Sequence, residues 1–154
     1  MAGTKRKKSY DNERSTTMSL KMVKSFMKEV GWGFLATSDG NKVGVRPMGS
    51  CVWMDNELWA ATGDGTQKVL QLRKVPYAEY CFSNREGKHL RIAGPCIIST
   101  NNDDKLKLYE AVPILQKYYK DPSDPKYVVI RMKPERIRFL AGVGKGYEDI
   151  ELPK

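Results

Sequence analysis

Apolar positions recur at two different spacings along this chain, and these spacings predict a sheet flanked by a few helices. Between Met18 and Val30 the apolar residues lie three or four positions apart, which predicts a helix with one apolar side that ends at Gly31. Elsewhere, short apolar runs are separated by Gly, Asn, Asp and Pro, which predicts strands joined by turns. The predicted strands are 32–37, 42–48, 51–54, 58–61, 77–83, 89–100, 127–132 and 136–140.

Two more helical segments are predicted between these strands. A short one starts after Thr66 and stops at Pro76, and a longer one has Asn102 as its N-cap, restarts at Pro113 and ends near Tyr119. Many short strands with inserted helices indicate a small closed or split β-barrel. Four aromatic residues within apolar runs are expected in its core: Trp32, Phe34, Trp53 and Trp59.

The composition of the 154 residues fits one domain, with 40% hydrophobic and 29% charged residues. Part of the net charge of +9 lies in residues 1–17, a basic head with few apolar residues that is predicted to be disordered. Three cysteines without a CxxC spacing predict buried thiols in a reducing cytoplasm, and no apolar run is long enough to cross a membrane. A single histidine leaves little material for histidine-based metal sites or for Ser-His-Asp and Cys-His catalysis.

Residues 61–76 carry the strongest indication of a binding site. Gly63 and Gly65 predict a tight turn after a strand, and Thr66 is a good N-cap for the short helix. A helix start presents free N–H groups and the positive end of the helix dipole, and Lys68 adds a cation beside it. These features predict an anion site, most simply for a phosphate. The alternative is an ordinary capped surface helix after a hairpin.

Six motifs occur in an order and spacing that resembles a known family. They are Gly33-Phe-Leu-Ala-Thr37, Val45-Arg-Pro-Met48, Leu58-Trp-Ala-Ala-Thr-Gly63, Thr66-Gln-Lys68, Leu90-Arg-Ile-Ala-Gly94 and Pro134-Glu-Arg-Ile-Arg-Phe139. The pattern is similar to the pyridoxamine 5′-phosphate oxidase-like family of FMN-binding split barrels, in particular its short, general-stress-protein-like members. The resemblance implies a mainly β fold with peripheral helices: a six- to seven-stranded antiparallel split β-barrel over residues 18–142, followed by a C-terminal tail, residues 143–154. It also implies a homodimer that binds FMN at the interface between its subunits.

The resemblance further implies a set of FMN-binding residues. Arg46 matches an arginine that meets the FMN phosphate or ribityl chain, and residues 66–68 match the phosphate-binding start of the short helix. The full set of matched positions is Arg46, Pro47, Met48, Gly49, Ser50, Ala61, Thr62, Thr66, Gln67, Lys68 and His89. No catalytic side chain and no metal ligand is assigned.

One departure separates this chain from the family members that oxidise vitamin B6 phosphates. Those members have a tryptophan, then an Arg- and His-containing run, after the segment that matches 137–139, whereas residues 140–146 here contain none of the three. The predicted function is therefore that of an FMN-dependent oxidoreductase, which passes reducing equivalents from a small-molecule donor to an unknown small acceptor. The alternatives are a non-catalytic flavin-binding or sensing module, a relative that uses haem or deazaflavin, and, least favoured, a basic β-barrel that binds nucleic acid.

Overall fold

The computed structural model describes residues 18–154, which form nine strands, three α-helices and one 3₁₀ helix. The predicted basic head, residues 1–17, lies outside the described residues. The helices are α1 (Leu20–Val30), α2 (Gln67–Lys74), α3 (Asn102–Ala111) and the 3₁₀ helix Pro113–Lys117. The strands are β1 (Gly33–Ser38), β2 (Val43–Met48), β3 (Val52–Met54), β4 (Glu57–Gly63), β5 (Tyr77–Ser83), β6 (His89–Ser99), β7 (Tyr127–Met132), β8 (Arg136–Leu140) and β9 (Tyr147–Ile150).

All strand pairs are antiparallel, and seven strands form one curled path in the order β2-β1-β5-β6-β7-β4-β3. The long strand β6 splits the sheet, because residues 89–93 pair with β8 and residues 96–99 pair with β7. The change of neighbour occurs at Gly94, where a Cβ would overlap the carbonyl oxygen of Lys133. A glycine is therefore required where the connection between β7 and β8 crosses β6.

The main core fills the inner side of this curled sheet, and α1 covers it. Val23, Phe26 and Met27 are the buried residues of α1, and the Phe26 ring meets the Phe139 ring of β8 edge-on at 5.5 Å between centroids. Ser19 caps the helix through its side chain, and Gly31 ends it. Burial of one apolar side of the helix against the sheet is what keeps this 11-residue segment helical.

A second, smaller core lies on the other side of β4 and β7, beneath α3 and the 3₁₀ helix. Trp59 of β4 and Tyr127 of β7 are buried there, together with Leu108 of α3 and Leu115 of the 3₁₀ helix. Tyr119 stacks on Tyr127 at 4.9 Å between ring centroids. This packing fixes the segment 113–119 over the end of the sheet where the candidate site lies.

The structure confirms the predicted fold class, a mainly β split barrel with peripheral helices. Three details of the prediction were wrong. Asn101, and not Asn102, caps α3, because its side chain accepts from the backbone N–H groups of residues 103 and 104. A ninth strand, β9, lies within the predicted tail and pairs with β8. Trp32 and Phe34, expected in the core, are 60% and 48% exposed.

The three cysteines are free thiols, and the prediction that all three are buried was wrong for two of them. Cys96 is buried, whereas Cys51 and Cys81 are half-buried. Burial raises the pKa of the Cys51 and Cys96 thiols to about 12. Within residues 18–154, no helix has the length and the apolar character that crossing a bilayer requires.

Candidate functional site

Arg46 is the central side chain of the candidate site. From β2 its guanidinium crosses β1, where Nη1 donates to the hydroxyl of Thr37 at 2.6 Å and to the carbonyl oxygen of Leu35 at 3.1 Å. Nη1 also reaches the carbonyl oxygen of Gly44 at 3.1 Å, and Nη2 lies 3.4 Å from Oε1 of Gln71 in α2. Nε–H and one Nη2–H have no partner among residues 18–154. A guanidinium binds an oxyanion with such pairs of N–H groups.

Gly44 provides the space for this arrangement. A Cβ at position 44 would overlap Nη2 of Arg46 and would lie 3.2 Å from Oε1 of Gln71. The missing side chain lets the guanidinium lie against the strand and reach α2. The geometry of Arg46 therefore depends on a residue that has no side chain.

The start of α2 lies beside Arg46 and has no side-chain cap. Thr66 occupies the N-cap position, as predicted, but its hydroxyl donates to the carbonyl oxygen of Gly63 at 2.9 Å instead of accepting from the helix. Gly65 has a positive φ of 80°, as the predicted turn requires, whereas a Cβ at Gly63 would make only an ordinary contact. The N–H groups of the first turn are thus left for solvent or for an anion.

Arg46 and Lys68 form a pair of cations without a counter-charge. Burial lowers the pKa of both groups, and the nearby Arg46 guanidinium lowers the pKa of Lys68 further. Neither side chain makes a salt bridge with a carboxylate of residues 18–154. Two partly buried positive charges held close together at a helix start favour the binding of an anion, which relieves their mutual repulsion.

A cleft of about 470 Å³ contains three more of the predicted residues. Its volume lies within the range of small-molecule sites. Ser50 and Ala61 are tied together there, since Ser50 Oγ donates to the carbonyl oxygen of Ala61 and accepts from its N–H, each at 3.1 Å. The lining residues are Trp32, Gly49, Ser50, Ala61, Ile114, Tyr118 and Tyr119. Apart from Ser50, Gly49 and Ala61, the cleft is thus lined by aromatic and aliphatic side chains that suit a flat apolar ring.

The other predicted site residues lie in different surroundings. The side chain of Met48 belongs to the main core, and Thr62 is buried at the end of β4, so neither side chain is open to a ligand in the single chain. Pro47 and Gln67 are exposed. His89 lies at the start of β6, where Nδ1 donates to the carbonyl oxygen of Gly87 at 3.0 Å and Nε2 accepts from the Tyr147 hydroxyl at 2.6 Å. The single chain therefore gives His89 no hydrogen bond to the Arg46 cluster.

The family model for pyridoxamine 5′-phosphate oxidase matches residues 20–141. The chain belongs to the pyridoxamine 5′-phosphate oxidase family. This confirms the resemblance inferred from the order of the six motifs. A search of curated proteins gave no match.

Several solved structures share the fold of the chain. A NimC/NimA family protein from Clostridium acetobutylicum is 24% identical, with a TM-score of 0.74 over 85% of this chain and 90% of that chain. General stress protein 26 from Bacillus anthracis is 19% identical, with a TM-score of 0.65 over 82% and 98%. A pyridoxamine 5′-phosphate oxidase-related FMN binding protein from Nostoc punctiforme is 14% identical, with a TM-score of 0.65 over 88% and 96%.

Three residues of the Arg46 cluster were missed by the sequence analysis: Thr37, Gly44 and Gln71. Gly44 had a signal, because an isolated glycine between two valines of a strand indicates a close approach of another group. Thr37 and Gln71 had none, since a polar residue in a strand or a short helix is usually exposed. The aromatic residues of the cleft were missed for the same kind of reason, because their positions depend on how the 3₁₀ helix packs.

Proposed function

We propose that this chain is an FMN-binding flavoprotein and acts as an oxidoreductase, passing reducing equivalents from a small-molecule donor to a small acceptor. The observation that carries the proposal is the uncompensated pair of cations, Arg46 and Lys68, at the open start of α2. This donor set fits a phosphate, and the aromatic cleft that includes Ser50 and Ala61 fits a flat ring. Membership of the family supports FMN as the molecule that carries both the phosphate and the flat ring.

The residues of the site have separate tasks in this proposal. Arg46, Lys68 and the N–H groups at Thr66–Lys68 hold the phosphate, and the Gly49–Ser50 segment with Ala61 borders the ring. FMN, when bound, supplies the hydride chemistry, which the protein directs by position and electrostatics. The walls of the cleft give the ring aromatic and aliphatic neighbours. No acid or base is assigned, and the absence of Trp, Arg and His from 140–146 argues against a vitamin B6 oxidase.

A homodimer is part of the proposal, and the outer side of the sheet supports it. Phe34 of β1 and Val43 and Val45 of β2 are 48%, 79% and 65% exposed on one side of these paired strands. An apolar patch of this kind marks a surface that associates. The three unpaired thiols support a reducing compartment such as the cytoplasm.

The test is an absorption spectrum of the purified protein, followed by a titration with FMN. We expect flavin bands shifted from those of free FMN, and loss of about 1.5–3 kcal/mol of binding free energy for each charged contact removed in Lys68→Ala and in Lys68→Ala with Arg46→Ala. Lys28→Ala, on the exposed side of α1, is the control that leaves affinity unchanged.

Three results would count against the proposal or a part of it. A wild-type protein that gives no flavin signal on titration would remove FMN as its ligand. Unchanged FMN affinity in the double variant would remove the phosphate assignment of Arg46 and Lys68. Bound FMN that a panel of reduced donors, including nicotinamides, fails to reduce would favour a flavin-binding or sensing module instead of an enzyme.

A further inference from the structure

Gln71 is a buried polar side chain whose oxygen faces the guanidinium of Arg46. It is 4% exposed on the inner side of α2. Its Oε1 accepts a hydrogen bond of 2.5 Å from the Thr37 hydroxyl and lies 3.4 Å from Nη2 of Arg46. Because a guanidinium only donates, the amide oxygen and not the amide nitrogen must face Arg46. The orientation of the Gln71 side chain is thereby fixed.

The acceptors around Arg46 differ from those around the other half-buried arginines of the sheet. Arg91 and Arg138 both pair with Glu79, and Arg131 pairs with Glu57 and Asp104. The carboxylates of those pairs neutralise the charge of the arginine locally. Arg46 instead meets two backbone carbonyls, one hydroxyl and one amide, none of which carries a charge.

Neutral acceptors have a specific consequence for an anion receptor. They hold the guanidinium in one position, as a carboxylate would, but they leave its full positive charge for a ligand. A carboxylate at the same place would form a charge-assisted hydrogen bond with Arg46 and compete with a bound phosphate. The Arg46–Lys68 pair thus stays uncompensated because position 71 is an amide.

We propose that Gln71, together with Thr37, is a positioning residue that aims Arg46 without neutralising it, and that this neutral clamp gives the site its preference for phosphorylated over unphosphorylated ligands. The identity of the ligand as a flavin rests on the proposed function. The preference for a phosphate does not, since it follows from the Arg46 cluster alone.

Gln71→Glu is the decisive variant, because it replaces one NH₂ group by an oxygen of nearly the same size. The Gln71 amide nitrogen has no hydrogen-bond partner among residues 18–154, so the change breaks no internal bond of that part of the chain. We expect FMN affinity to fall about 10- to 100-fold, the range for loss of a charge-assisted contact. Affinity for riboflavin, which lacks the phosphate, stays within about twofold.

The ratio of FMN to riboflavin affinity separates positioning from a merely structural role. A variant that only loosens the fold lowers both affinities together and leaves the ratio unchanged. Asn102→Asp is the matched control, since it makes the same change from amide to carboxylate at an exposed position of α3. We expect its ratio to equal that of the wild type.

Thr37 provides a second test that does not depend on the folding of Gln71→Glu. Thr37→Val removes the hydroxyl that links Arg46 to Gln71 while it keeps the shape of the side chain, and we expect the ratio to fall. Thr37→Ser restores the hydroxyl, and we expect the ratio to recover. Equal ratios in Thr37→Val and the wild type would overturn the inference.

An inorganic anion separates failure of this inference from failure of the proposed function. We expect phosphate to raise the melting temperature of the flavin-free wild type above that in chloride at equal ionic strength, and to do so much less in Gln71→Glu. This result supports the clamp even if no flavin binds, whereas the same rise in both proteins, or none in the wild type, overturns it. If FMN binds but the ratio is unchanged in Gln71→Glu, the inference fails and the flavin proposal stands.

Discussion

At the scale of single residues, Gly44 determines the position of the Arg46 guanidinium because it has no side chain. A methyl group at this position would overlap Nη2 of Arg46 and crowd the amide oxygen of Gln71. We therefore expect Gly44→Ala to push the guanidinium out of its place and to weaken FMN binding about tenfold. The measurement is a titration of FMN fluorescence.

Gly142→Ala is the control for this substitution, since a Cβ there would meet no atom within 4 Å. Its FMN affinity and melting temperature should equal those of the wild type. If Gly44→Ala also bound FMN as tightly as the wild type, the position of Arg46 would not matter for the phosphate.

The second prediction at this scale concerns the pH dependence of binding. Burial, and then the Arg46 charge, lower the pKa of Lys68 from its usual 10.5. A bound phosphate favours the charged form of the Lys68 amine. At a pH where the Lys68 amine of the free protein is partly deprotonated, binding of the phosphate therefore requires the uptake of a proton. We expect FMN affinity to fall as the pH rises through this lowered pKa, earlier than an ordinary lysine would dictate.

Lys68→Arg separates this effect from other titrations, because arginine stays charged over the whole range. Its FMN affinity should remain level where that of the wild type declines. Both proteins are titrated with FMN at a series of pH values from neutral upward. An equal decline in the two proteins would assign the effect to another group.

The residue scale also shows where sequence reasoning stops. Strand β1 reads Gly33-Phe-Leu-Ala-Thr-Ser38, and it was predicted as a strand, but Phe34 was wrongly expected in the core. Leu35 and Thr37 point inward, whereas Phe34 points out. Hydrophobicity alone would bury Phe34 and expose Thr37. The reverse holds because Thr37 lies on the same side of β1 as the fully buried Leu35, where its hydroxyl is hydrogen-bonded to Arg46 and Gln71.

At the scale of elements, β9 is the part of the fold that the sequence did not predict. The strand has four residues, two of them acidic, so it has neither an apolar run nor a clear alternation. Its place is decided by pairing with β8, where Ile150 lies opposite Ile137 and is 5% exposed within the main core. The eight other strands carry longer patterns or flanking turns, and the sequence located each of them closely.

The burial of Ile150 gives a test of whether the tail belongs to the folded domain. We expect Ile150→Ala to lower the free energy of unfolding by about 2–4 kcal/mol, as removal of a core side chain does. Leu152→Ala, only two residues further on and 37% exposed, should change it by less than about 0.5 kcal/mol. Denaturation with urea measures both, and similar small values would mean that residues 147–154 contribute little to the core.

Helix α2, in contrast to β9, was predicted from the sequence. The glycine turn, Thr66 and Lys68 led to the proposal of an anion site at its start, because helix polarity is a local property. The partners of Arg46 lie 9 and 25 residues away along the chain, so only the pairing of β1 with β2 and the packing of α2 on β1 bring them together. Local features were enough to propose the anion site, whereas the clamp around Arg46 could not be predicted from them.

At the scale of the whole molecule, the sheet has one covered and one uncovered side. The inner side packs against α1 and the main core, whereas the outer side of β1 and β2 presents Phe34, Val43 and Val45. Strand β2 also lies at the end of the sheet path, with one edge unpaired among the described strands. An apolar face next to an open edge is costly to leave in water, which favours a second copy of the chain as its cover.

A charge on this face tests the dimer and its connection to FMN together. Val45 is 65% exposed in the single chain, so Val45→Asp should leave the fold of the subunit intact. In a dimer that buries this face, an unpaired carboxylate is strongly unfavourable, and we expect light scattering to show a monomer where the wild type is a dimer. Because the proposed FMN site needs both subunits, FMN affinity should fall with the loss of the dimer.

Val143→Asp, at a position that is 93% exposed, should remain dimeric and bind FMN as the wild type does. A wild-type protein that is monomeric while it binds FMN tightly would show that one chain holds the whole site.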